Sequence, residues 1–306
     1  MELKISKHEG TIWSWFPVTF ITAFFCCVLW GSASPAIKIA YELFRIGPED
    51  TASRIMLAGG RFVIAGLMTI LFGSVLNRKV LLPKKESWKN VLTLSLVQTV
   101  FQYYFFFTAL ANTSGVRGSI INASGNFIAI LYAVYIFRFE KMTLQKLLGC
   151  IVGFAGIVMI LGGGRALMEG GAVTLAGEGA MIAADLFYGL SGCLIKVFSK
   201  NENPAALSGW QFFIGGIVLL IIGSLMGGSL VFYSTGCVLN LVYMGFISAG
   251  AYTLWGVLLK YNPVMGVLLS AVFLGEGREA FSASGLLALL LVSAGIVIVN
   301  ASMKRS

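Results

Sequence analysis

Asp185 is the residue of this chain whose chemistry is most at odds with its surroundings. It opens the stretch DLFYGLSGCLIK, Asp185 to Lys196, and is a carboxylate well inside an apolar run. At helical spacing it shares a face with Tyr188, Gly192 and Lys196. A carboxylate in that place carries a proton or anchors a substrate amine; the plainer reading is a hydrogen-bonded Asp packed on a neighbouring helix. Other polar groups are set into apolar runs in the same way. Trp30, Ser34 and Lys38 fall in one run, Gln98, Gln102 and Tyr103 in a second, Ser119, Asn122 and Asn126 in a third, and Tyr252 and Trp255 in a fourth. Ser119, Asn122 and Asn126 stand at i, i+3 and i+7, a polar stripe on one helix face. Hydrocarbon does not accept such a stripe, so it faces protein or a water-filled pathway. Lys38 and Lys196 bind a carboxylate or gate an entrance, unless they snorkel to headgroups. Arg61 has the same two options, pairing with an anion or reaching outward.

The runs that carry these residues dominate the chain. Of 306 residues 58% are apolar and 11% charged, and the mean hydropathy is +0.88. A soluble domain carries about 25% charged residues. The runs are about 20 residues long, enough to cross the ~30 Å hydrocarbon layer, and they are unbroken rather than alternating, which excludes a β-barrel. The chain is therefore expected to be an all-α polytopic membrane protein. The first run, Phe16 to Ile37, reads as a retained helix and not as a cleaved signal. Five cysteines (Cys26, Cys27, Cys150, Cys193, Cys237) lack metal-ligand spacing and read as small packing residues. One histidine, His8, leaves no histidine-based catalysis. No metal or other cofactor is expected. Gly162 to Gly164 reads as a helix stop, since no Gly-Lys-Ser/Thr follows, so no ATP site is expected. The net charge of +9 sits in basic residues between runs, where a membrane protein holds them, and does not call for nucleic acid.

Ten helices are expected, near 16–37, 55–76, 90–110, 118–137, 146–164, 178–198, 208–226, 238–259, 264–275 and 281–300. With the N-terminus in the cytoplasm, the inner side holds fifteen Lys and Arg and the outer side six, Arg61 lying within the second helix. That bias puts both termini inside.

The chain also repeats. At an offset of 158, Trp30, Gly31, Ile37 and Lys38 face Tyr188, Gly189, Ile195 and Lys196. At an offset of 150, Gly59, Phe62, Ile64, Gly66 and Gly73 face Gly209, Phe212, Ile214, Gly216 and Gly223. Glu140 and Gly149 face Glu276 and Gly285 at 136. Two sets of five helices, 1–164 and 165–306, have opposite topologies because five is odd. Inverted repeats of this kind are a transporter architecture, with a site near the midplane.

These residues carry a resemblance. Trp-Gly-Ser with a later Lys in the first helix, Arg-Phe in the second, Ala109-Leu110 near the end of the third, and Glu140 followed by LLG and GIV recur in order in the second half. The chain resembles the EamA-type transporters of the drug/metabolite transporter superfamily. The resemblance implies a ten-helix bundle that moves small metabolites, amino acids among them, across a bacterial inner membrane, commonly outward. Its partners would be the lipid bilayer and a small-molecule substrate; a homodimer is allowed. Alternating access and proton exchange would make Asp185 the coupling candidate.

One departure stands out. Leu110 to Glu140 spans 30 residues, and the matching Leu259 to Glu276 only 17. The ninth helix is thus shortened to about 12 residues, about 18 Å, too short to cross upright. A non-transporting, impaired member is therefore one alternative. A membrane-embedded enzyme on lipid-linked substrates is another, but it would need a carboxylate, His or Cys cluster near one interface, and the sequence offers isolated carboxylates, Glu140 and Glu276, on opposite sides. The chain is not expected to be an enzyme.

Overall fold

A computed structural model describes residues 25, 28–76, 78–160, 174–253, 287 and 290–295. Among them there is no β-strand. The helices follow in the expected order: α1 Ala33–Leu43, α2 Thr51–Leu76, α3 Lys85–Asn112 and α4 Gly115–Ile136, α5 Leu144–Ile160, α6 Leu175–Phe198, α7 Pro204–Leu225 and α8 Thr235–Thr253. Five of these, α2, α3, α4, α6 and α7, are long and apolar enough to cross a membrane. The expected ninth helix, most of the tenth, Gly162 to Gly164 and Trp255 lie outside the described residues, as does the side chain of Tyr252. The ten-helix count and the shortened ninth helix therefore rest on sequence.

α2, α4, α6 and α7 begin a few residues before their apolar runs, because their first turns are polar and capped. The Asp50 carboxylate accepts the Ser53 N–H at 2.9 Å. The Ser114 hydroxyl accepts the Arg117 N–H at 3.1 Å, and Thr174 that of Gly177 at 3.0 Å. Asn203 accepts from Ala205 at 2.9 Å, with Pro204 as the first helical residue. Each cap satisfies an N–H that the helix cannot. Hydrophobic periodicity sees none of these residues.

Four of the described helices are not regular, and α6 is one of them, since its first turn, Leu175–Gly179, is π-helical. The helical residues 28–31 join α1 through a turn at Ser32, three residues before Pro35, which has no N–H to donate back into that turn. α3 contains a π-helical turn, Ser95–Phe101. α4 breaks into a turn at 122–123 and ends in a second π turn, Tyr132–Ile136. The stripe expected from Ser119, Asn122 and Asn126 therefore does not run along an unbroken helix: Asn122 sits in the turn. The sequence spacing assumed 3.6 residues per turn throughout, and the break changes the register.

Among the described residues, the most extensive helix packing joins α2 to α7. A methyl group added at Gly59 would stand 2.8 Å from the Gly216 carbonyl oxygen, and one at Gly66 2.8 Å from the Gly209 carbonyl oxygen. At Gly223 it would meet the Ala52 carbonyl at 2.8 Å. The partners run in opposite directions, so the helices cross antiparallel with backbones touching. Glycines at seven-residue spacing on both helices make this possible, as small residues do wherever helices associate in lipid. Phe62 and Phe212, matched in sequence at an offset of 150, stack on each other with centroids 5.3 Å apart. Around this pair, α2 also packs on α8 and α7 on α3, while α1 packs on α8 and α6 on α3 and α4. On α5 two glycines make room for close neighbours: the Phe127 ring lies on Gly153, and Gly295 approaches Gly149. Leu67, Leu71 and Val75 on α2 and Leu147, Leu148 and Ile151 on α5 are exposed, a surface suited to lipid.

Beyond the end of α6, Glu202 ties the α2–α3 connection to the α6–α7 connection. Its carboxylate accepts the Lys84 N–H at 2.7 Å and the Asn203 N–H at 2.8 Å, and the Lys84 ammonium donates to the Asn201 carbonyl at 2.7 Å. Burial pushes the Glu202 carboxyl up, but those two N–H groups, the Ser87 hydroxyl and the Lys84 charge outweigh it and hold it below the usual carboxylate range.

Two outcomes follow from this packing. Gly66→Ala drives a methyl into the Phe213 and Gly209 backbone and lowers stability by about 1–3 kcal/mol, while Gly192→Ala, with open space around it, has little effect; thermal unfolding in detergent separates the two. The Glu202 tie contributes stability above the unfolded carboxylate value, near ~4.3, which is lost as pH falls through the lower folded value. Between about pH 6 and 3 the native unfolding temperature drops more than that of Glu202→Gln.

Candidate functional site

The polar residues of the interior are ordered along α6. At its start, Glu178 is buried and receives four donors. The Thr113 hydroxyl and the Arg117 guanidinium donate to Oε1 at 2.9 and 3.2 Å. The Thr174 N–H and hydroxyl donate to Oε2 at 2.9 and 3.2 Å. The Lys38 ammonium donates to the Thr113 carbonyl at 2.7 Å. These residues line a cavity of about 450 Å³ between α1, the α3–α4 turn and the start of α6.

Seven residues on, about 10 Å along the helix, lies Asp185. Its exposure is 0%. The Ser124 hydroxyl of α4 donates to Oδ2 at 2.6 Å, while Oδ1 has no hydrogen-bond partner. Gly125 lets α6 come this close. A methyl there would stand 2.6 Å from the Tyr188 ring and 3.2 Å from Asp185 Oδ1. The Tyr188 hydroxyl is also buried without a partner. A carboxyl with one hydroxyl donor is poorly solvated as an anion, and such groups in a membrane interior mark proton or substrate pathways.

Eleven residues further, about 16 Å, the Lys196 ammonium lies 4.6 Å from the centre of the Phe139 ring. Beside Phe139, Glu140 pairs with the buried Lys146 at 3.0 Å. Lys38 of α1 thus lies near the start of α6, and Lys196 near its end.

A second polar layer crosses between helices. Arg61, 2% exposed, donates to the Met244 carbonyl at 3.2 Å and the Ser248 hydroxyl at 3.1 Å on α8. Its guanidinium lies 5.2 to 6.0 Å from the rings of Phe62, Tyr103 and Phe107, within cation–π range. At the matching place on α7 stands Gln211. It donates to Gln98 Oε1 and receives Thr99 at 3.2 Å, while Ser95 donates to its carbonyl at 3.1 Å. Ser95, Gln98 and Thr99 all belong to the π turn of α3.

Of the remaining candidates, Gln102 is buried and its Oε1 lacks a partner. Tyr103 packs on Phe62 at 4.1 Å. Asn126 donates to the Ala123 carbonyl at 3.3 Å, with its own oxygen unpartnered. Asn122 is half-buried in the α4 turn, Trp30 packs against the apolar core, and Ser34 is buried on α1. Among the described residues no group of three or more His, Cys, Asp or Glu could hold a metal. Cys150, Cys193 and Cys237 are buried and free.

Sequence reasoning missed Ser124, Arg117, Glu178 and Gln211. Glu178 stands at the first expected residue of its helix, where it reads as a loop charge. Gln211 had a signal, for it occupies the place of Arg61 at the offset of 150.

Residues 18–162 match the EamA-like transporter family. An uncharacterized transporter of Methanothermobacter thermautotrophicus is 28% identical, over 83% of this chain and 81% of its own length. A WAT1-related chloroplast protein of Arabidopsis thaliana is 26% identical, over 97% of this chain and 71% of its own. The uncharacterized transporter YvbV of Bacillus subtilis is 23% identical, over 92% and 90%. A solved crystal structure shares the fold with a TM-score of 0.65, at 16% identity over 93% of this chain and 97% of that one. The membrane-crossing helices and these relatives define a multi-pass membrane transporter. Residues 18–162 carry an EamA-like domain, and the chain is similar over most of its length to proteins named as transporters.

The Ser124–Asp185 contact is directly testable. Ser124→Ala leaves the buried carboxyl without its donor and lowers stability by about 1–3 kcal/mol. In an Asp185→Ala background the same change costs less, because its acceptor is gone. Denaturant unfolding of the four proteins in micelles reads the coupling.

Proposed function

We propose that the chain is a secondary transporter of small polar or amphipathic metabolites, amino acids among them, working by alternating access and coupled to protons through Asp185. The observation that carries the reading is Asp185 itself, fully buried in mid-helix with one hydroxyl donor and one unpartnered oxygen. A carboxyl in that state exchanges a proton when water or a cation reaches it, which is what coupling requires. The antiparallel α2–α7 crossing and the Phe62–Phe212 stack support two inverted halves, because residues related by a two-fold in the membrane plane meet near its axis. Matching helix pairs, α1 on α8 and α6 on α3, support the same symmetry. The fifteen-to-six distribution of basic residues supports cytoplasmic termini, and the resemblance supports export across a bacterial inner membrane.

The test is flux of a labelled amino-acid mixture in proteoliposomes under imposed pH gradients. The native chain responds to the gradient by about tenfold or more, equivalent to about 1.4 kcal/mol, and Asp185→Asn loses that response. An Asp185→Asn protein that follows every gradient as the native chain does refutes coupling through this residue. A native chain that moves no amino acid refutes the substrate class.

A further inference from the structure

We infer that the break in α4, beside Asp185, is a binding site for a monovalent metal ion such as sodium. The break separates two helical pieces, Gly115–Ile121 and Ser124–Leu131. Hydrogen bonds at it reach back three residues instead of four. The Ala123 N–H donates to the Ile120 carbonyl and the Asn126 N–H to the Ala123 carbonyl, both at 3.2 Å. In an unbroken helix those two N–H groups serve the carbonyls of Ser119 and Asn122. The break thus leaves two carbonyl oxygens without their helical donors. Asn126 adds a third oxygen. Its amide nitrogen donates to the Ala123 carbonyl at 3.3 Å, and its amide oxygen is buried without a partner. Helix carbonyls point towards the C-terminus and side chains lean back towards the N-terminus, so these three oxygens converge on the turn.

A carboxylate completes the shell. Ser124 is the first residue after the break, and its hydroxyl donates to Asp185 Oδ2 at 2.6 Å. Asp185 Oδ1 is unpartnered and lies beside Gly125, 3.2 Å from where a methyl there would stand. Two carbonyls, an amide oxygen and a carboxylate oxygen are all acceptors, and hard cations take such oxygens. Transition metals prefer imidazole or thiolate, and this shell holds neither. Broken helices in transporters use freed carbonyls in this way. One buried carboxylate balances one positive charge; a divalent ion would leave a net charge where Asp185 is 0% exposed. The site goes beyond the transporter reading, because the ion binds whether or not a solute moves. It takes the place on Asp185 that the transporter reading gives to a proton.

Binding is measured on the full chain in phosphatidylcholine nanodiscs by scintillation proximity with radioactive sodium ion, choline chloride holding the ionic strength constant. Binding saturates, lithium displaces the label, and choline and calcium do not. Sodium also raises the melting temperature of the native chain. Asp185→Asn, which removes the charge and keeps the shape, weakens binding about tenfold or more, and Asn126→Leu, which removes one neutral oxygen, about threefold or more. Melting curves in choline show which variants are folded; if Asp185→Asn is not, Asn126→Leu decides. No saturable binding by the native chain, or an affinity unchanged in a folded variant, overturns the proposal. So does displacement by calcium at equal concentration. Displacement by ethylammonium more readily than by lithium assigns the oxygens to a substrate amine, and the proposal falls. Flux separates the site from the broader reading. Sodium binding without any flux keeps the site and refutes the transporter, and proton-driven flux without sodium binding does the reverse.

Discussion

Backbone-to-backbone contact between α2 and α7 is the constraint on which the rest of the bundle depends. In hydrocarbon, apolar side chains gain little by meeting one another, since lipid is as apolar as they are. What holds helices is close approach and the dispersion that comes with it. Gly59 and Gly66 on one helix and Gly209 and Gly216 on the other leave no Cβ at the points where the two backbones touch. α8 then packs on α2 and α3 on α7, and the outer helices follow. Arg61 and Gln211, beside the crossing, tie each helix of the pair to its outer neighbour by hydrogen bonds. The crossing thus fixes both the apolar and the polar layers.

The interior polar groups fall into two kinds. Gln98, Gln211, Thr99 and Ser95 bond to one another between helices, as does the Glu178 cluster at the end of α6. These stiffen the bundle. Asp185, Tyr188, Gln102 and Asn126 each keep a buried atom unpartnered. An unmade bond of this sort costs more than an ordinary bond contributes. A transporter can carry that cost where a solute or a proton supplies the missing partner in turn.

Much of this was legible in the sequence, for reasons that particular residues make clear. The glycines at 59, 66 and 73 and their partners at 209, 216 and 223 were legible as a repeat, but that they meet in a crossing shows only once the helices are packed. Asp185 announced itself by its charge. Ser124 did not, because a serine in a membrane helix usually bonds its own backbone and only tertiary packing turns this one towards a carboxylate. The stripe of Ser119, Asn122 and Asn126 was misjudged in geometry. A turn at 122–123 follows from three-dimensional packing that no period reports.

The glycine crossing also ties the molecule to the thickness of its bilayer. α2 has 26 residues, about 39 Å of helix against ~30 Å of hydrocarbon. The excess is taken up by tilt and by the polar first turn. Because the backbones touch and Leu220, Ile70, Met56 and the Phe62–Phe212 stack flank the contact, the angle between α2 and α7 is closely held. Hydrophobic mismatch is therefore taken up by tilting the pair as one unit.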